Sequence, residues 1–145
     1  MKTSRRILAT VLFISSLIPL GLGIEGLVNT DNILRMFGVE KIIPDTQALG
    51  YILGICMLGL VIIYVFAMVW TATGKKAGIS ISKGIGWSTL GLTMLMYFKF
   101  RNLQFEVNDY LYFEVLKSAV ILLLAYFAGA KARATEPIPE TSLLH

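Results

Sequence analysis

Histidine and cysteine are nearly absent from this chain. The one histidine is His145, the last residue, and the one cysteine, Cys56, sits inside an apolar run. A zinc or haem site built on internal histidines is thereby excluded, as are an internal disulfide and a CxxC redox pair. Cys56 is expected to be a small buried hydrophobe. A glycine-rich phosphate-binding loop is also missing. Charge is scarce: 15% of the residues are charged, against about a quarter in an ordinary soluble domain. The basic balance, net +4 with a pI near 9.3, does not form the patch that nucleic acid requires. Lysine and arginine stand instead in short groups at the ends of apolar runs, as membrane-flanking charges do, and no nucleic-acid partner is expected.

What is abundant is apolar sequence. The 145 residues are 56% hydrophobic with a mean hydropathy of +0.73, and their number points to one domain. A helix needs about 20 mostly apolar residues to cross a bilayer. Four segments qualify, at about residues 7–27, 47–71, 81–99 and 110–130. The second lies in the uncharged run Thr46–Gly74. The third is the shortest, with an apolar centre between Lys83 and Lys99, both of which can snorkel to the interfaces. The expected fold is therefore all-α, an integral membrane four-helix bundle filling residues 1–134. The polar, proline-containing segment 135–145 is expected to be a mobile tail.

Charge counting orients the bundle. Lys2, Arg5, Arg6, Lys75, Lys76, Lys83, Lys131 and Arg133 fall on one side, and Arg35, Lys41, Lys99 and Arg101 on the other. The richer side is cytoplasmic, so both termini are inside and the location is the inner (plasma) membrane. The stretch "MKTSRRILATVLFISSLIPLGLG" also fits a signal peptide, although its apolar run is long for one. Between the first two spans, "NTDNILRMFGVEKIIPD" reads as a short interfacial helix capped by Thr30 or Asp31 and stopped at Gly38, or equally as an ordered loop. Thr71–Gly84 reads as a cytoplasmic turn.

Small residues mark packing faces. Gly50 and Gly54 form a GxxxG in the second span, Gly91 stands in the third, and Gly21, Gly23 and Gly26 close the first. Internal packing is the expected use, with a homodimer as the other. Pro19 should bend the first span by freeing the carbonyl of Ser15.

The fourth span carries Glu114 and Lys117 in its first turns, on one stripe with Tyr110 and Ser118 and away from Leu111, Val115 and Leu122. At i, i+3 the two charges can pair with each other, which lowers the cost of taking them into the membrane. Glu25 at the end of the first span, Gln47 and Tyr51 at the start of the second, and Lys99, Arg101 and Asn102 after the third reach the same level. In a closed bundle these groups would converge at the outer mouth. Either they pin the helices or they line a site for a polar head group.

With "GLGIEGLVNTDNILRMFGV" (21–39), "QALGYILGICMLGL" (47–60) and "YFEVLKSAV" (112–120), the chain resembles the DoxX-like superfamily of small four-helix bacterial membrane proteins over about residues 6–130. The resemblance implies a four-helix bundle and no single activity. Some DoxX members are associated with quinone-linked sulfur oxidation. Only Glu114 is carried over, as the polar anchor of the fourth helix, and no catalytic residue is.

Two functions follow as expectations. One is a small accessory or binding component of the membrane, packed against a larger complex or holding a lipid-like ligand at its outer mouth. The other is a quinone-associated oxidoreductase subunit, implied only by the resemblance. No cofactor and no metal are expected, with a quinone or a lipid left open as a ligand. A transporter is disfavoured, because four spans without an internal repeat or a broken-helix pair are too few.

Overall fold

The computed structural model describes residues 2–36, 39–102 and 109–133. These form five α-helices and no strand: α1 (Lys2–Val28), α2 (Thr30–Met36), α3 (Pro44–Ala72), α4 (Lys76–Asn102) and α5 (Asp109–Arg133). The tail 135–145 and the expected stop at Gly38 lie outside the described residues. α1 packs on α3, α3 on α4, α4 on α5 and α5 on α1, so the four long helices close a ring. Three of them are long and apolar enough to cross a membrane: Thr3–Val28, Pro44–Ala72 and Leu111–Ala130. α4 falls short by composition, because Lys76, Lys83 and its serines dilute an apolar centre of some four turns.

The outward faces fit that reading. α3 exposes Leu49, Ile52, Ile55, Ile62, Phe66 and Val69, and only 17% of its most apolar window is buried. A helix that is hydrophobic on every side belongs in a protein core or in lipid. These side chains have no protein over them, which supports a membrane protein.

The core is dense at one end. Leu8, Leu12, Tyr64, Ala67, Ile79, Ile85, Ile121, Ala125 and Ala128 form one buried cluster, in which the alanines let the helices approach. At that end α3 stops at Gly74, whose φ of +85° suits a residue without a Cβ. Lys75 N–H donates to the Trp70 carbonyl at 2.8 Å, closing a Schellman-type stop. The Arg5 guanidinium donates to the Gly74 carbonyl and ties α1 to the turn. The connection is far shorter than the expected turn over Thr71–Gly84, because Gly74 ends one helix and α4 begins at Lys76. Lys83 thus belongs to α4. Rather than reaching freely for the interface, its Nζ sits 4.1 Å from the centre of the Tyr126 ring on α5.

At the other end, glycines set the α1–α3 crossing. A Cβ on Gly26 would lie 2.9 Å from the Gly54 Cα, and one on Gly54 would lie 3.1 Å from the Gly23 carbonyl oxygen. Both contacts are backbone to backbone, so dispersion between main chains holds the seam. Gly50 faces a different partner, Thr30 and Leu34 of α2. Gly91 is exposed, with open space where a Cβ would be. α2 buries Thr30, Ile33 and Leu34 against α1 and α3. α1 continues helical through Pro19.

Candidate functional site

The buried face of α5 runs through Leu111, Glu114, Ser118, Ile121, Leu122, Ala125 and Ala128. Its spacing of three and four residues is that of a helix face turned to a core. Leu111 and Leu122 therefore share the buried face with Glu114, unlike the stripe expected from the sequence. The Tyr110 side chain lies outside the described residues.

Glu114 is 6% exposed, and Lys117 pairs with it through both carboxylate oxygens, at 2.6 Å each. One helical turn separates the two residues, so the pair forms within α5 without help from another element. Ser118 donates its hydroxyl to the Glu114 carbonyl at 2.7 Å, satisfying itself on the same helix.

The pair borders a cavity of about 140 Å³ lined by all four long helices and open on the side of Leu60, Leu92 and Met96, which are exposed. α1 contributes Ile18, Pro19 and Leu22, and α3 contributes Met57, Leu60 and Tyr64. From α4 come Thr89, Leu92, Thr93 and Met96, and α5 adds Leu111 beside the pair. The walls are apolar apart from the ion pair and three hydroxyls. Thr89 and Thr93 donate to the carbonyls of Ile85 and Thr89, each at 2.8 Å. Their protons are spent on the helix, while their oxygens keep acceptor capacity. The buried Tyr64 lines the same cavity as Thr89 and Glu114. Such an arrangement of a mostly apolar chamber with a few polar groups is built to bind.

Glu25, Gln47 and Tyr51 do not join it. The Glu25 carboxylate accepts a 2.7 Å hydrogen bond from the Asn32 side chain, and the Gln47 amide donates to Asp31 at 2.9 Å. These bonds fasten α2 to the ends of α1 and α3. Tyr51 is 47% exposed and lines no part of the cavity. The side chains of Lys99 and Arg101 lie outside the described residues. One expected convergence at the mouth is thus two separate groups, a clamp on α2 and a chamber around Glu114.

Tyr64, Thr89 and Thr93 were missed by sequence reasoning. Two signals point to them: Thr89 and Thr93 recur at i, i+4 within a span, and Tyr64 stands deep in an apolar run rather than at its ends, where membrane tyrosines concentrate. Cys56 departs from expectation as well. It is exposed on α3, where it remains a small apolar residue facing outward.

Among the described residues, no cluster of three His, Cys, Asp or Glu side chains is placed to hold a metal. Comparison of the chain with known protein families, characterised proteins and solved structures finds no match.

Proposed function

We propose that this chain is a multi-pass inner-membrane protein with four spans, α1, α3, α4 and α5, and both termini in the cytoplasm. Its role is that of a binding component, holding the head of a lipid-like molecule in the chamber beside Glu114 and Lys117. The observation that carries this reading is the apolar 140 Å³ cavity with a buried ion pair and three hydroxyls on its wall. α4 completes the spans: its 27 residues, at 1.5 Å each, are about 40 Å long and lie in the ring between two apolar helices. The distribution of lysine and arginine supports the orientation.

The resemblance to DoxX-like proteins suits the same architecture and brings the alternative of a quinone-associated oxidoreductase subunit, which has no support beyond the resemblance. A larger membrane complex or a second copy would meet the protein on its outward apolar faces, and membrane lipids cover the rest.

Native mass spectrometry of the protein extracted in mild detergent tests the binding role. A small amphipathic species should accompany the wild type, be lost from Thr93→Phe, which fills the chamber, and persist in Gly59→Leu, on the outward side of α3. Retention by all three proteins, or by none, would refute it.

A further inference from the structure

The charges of the chamber are already spent on each other. Lys117 Nζ lies 2.6 Å from both oxygens of the Glu114 carboxylate, and among the described residues no other Asp, Glu, Lys, Arg or His lines the cavity. From this we infer that the chamber selects an uncharged, single-ring-sized head group bearing a hydroxyl or carbonyl, and rejects phosphate, carboxylate and ammonium heads. The inference rests on the binding role proposed above and specifies its ligand class.

Charge exclusion follows from burial. An anion entering the chamber would reach Lys117 only by competing with a carboxylate held at contact distance. A cation would have to displace the ammonium from Glu114. Either would leave one charge of the site unpaired in a setting where an uncompensated ion is strongly disfavoured. An uncharged group meets no such opposition. Lys117 retains donor capacity beyond the two oxygens it already serves, and the carboxylate and threonine oxygens retain lone pairs. A hydroxyl can donate to these oxygens and accept from lysine, and a carbonyl can accept.

Size narrows the class further. An apolar cavity of about 150 Å³ engineered in a protein core holds one benzene molecule. The chamber here is 140 Å³, room for one six-membered ring, and it opens beside the exposed Leu60, Leu92 and Met96, where a long tail can leave for the bilayer.

Methionine methyl groups provide the readout. Met57 lines the chamber and is half-buried, Met96 lines its exposed side, and Met36 and Met94 are exposed and lie outside it, so Met57 is the deciding reporter. In protein labelled with ¹³C at the methionine methyls and held in nonionic detergent at neutral pH, three probes are titrated: phenol, benzoate and benzylammonium. Phenol should shift Met57 and Met96 saturably, and beyond the shifts it causes at Met36 and Met94, which report the micelle. Benzoate and benzylammonium should not.

Glu114→Gln removes the anion and frees the lysine, so this variant should gain saturable benzoate binding, at least about tenfold tighter than wild type. Benzoate shifting the chamber methyls of the wild type as well as phenol does would overturn the neutral-head inference and leave the binding role standing. No probe shifting them would overturn the binding role itself. If Glu114→Gln fails to fold, the wild-type ranking of the three probes still decides the inference.

Discussion

Replacing Gly54 with leucine tests the α1–α3 seam most sharply, because the same helix contains a matched control. A Cβ at Gly54 would sit 3.1 Å from both the Gly23 oxygen and the Gly26 carbonyl carbon, and 3.3 Å from the Gly26 Cα. All three are main-chain atoms of a helix, which cannot swing aside as a side-chain tip can. Inserting methylenes into a packed contact costs about 1–3 kcal/mol, and a leucine here belongs at the upper end of that range. Gly59, on the same helix, has open space at its Cβ position. Leucine there removes a poor helix former from a helix interior, a gain of about 0.5–1 kcal/mol.

The two variants should therefore differ by about 3 kcal/mol, or roughly a hundredfold in the unfolding equilibrium. Titrating mild-detergent micelles with dodecyl sulfate and following the fluorescence of Trp70 and Trp87 measures that difference. Gly54→Leu should unfold at clearly lower dodecyl sulfate than wild type, and Gly59→Leu at the same level or higher. Equal midpoints for the two variants would show that the crossing does not rest on main-chain contact at Gly54.

Other perturbations follow from the same structure. Removing one partner of the buried pair leaves the other uncompensated, at a cost of about 3–5 kcal/mol, so Glu114→Gln should melt below the double change Glu114→Gln with Lys117→Met; identical melts would mean that the charges are not coupled. Gly74→Val should destabilise by about 1–2 kcal/mol, because a β-branched residue is forced to positive φ against Arg5, and Gly74→Asn should cost less; a thermal melt showing both equal to wild type would rule out the left-handed turn. For the orientation, single cysteines at Glu40 and Thr73 in a Cys56→Ser background should react differently with an impermeant thiol reagent on intact cells. Glu40→Cys should label and Thr73→Cys should not, and the reverse pattern would overturn the proposed topology.

The helical segments were legible in the sequence, since long apolar runs bounded by basic residues leave the chain few alternatives. α1, α3 and α5 extend only a few residues beyond the expected spans at either end, and α2 forms where the short interfacial helix was expected, with Ile33 and Leu34 buried. The i, i+3 pairing of Glu114 with Lys117 was equally local: both groups are on one helix, so their spacing alone brings them together.

What the sequence left open were the relations between helices. The GxxxG of α3 did not reveal that Gly54 meets α1 while Gly50 meets α2, because a glycine pattern says where backbones can approach and not which ones do. Glu25 and Gln47 looked like neighbours of Glu114 by their level along the spans, yet the rotation of α1 and α3 turns them toward Asn32 and Asp31. The rotations of α3 and α4 bring Tyr64, Thr89 and Thr93 to the cavity that Glu114 borders, residues that are unremarkable apart. Secondary structure and local charge pairs arise from interactions within a few residues, which the order of side chains determines directly. A chamber arises from four helices meeting at particular rotations, and those were decided only in the tertiary structure, by the main-chain contacts of Gly26 and Gly54 together with the packing of the shared core.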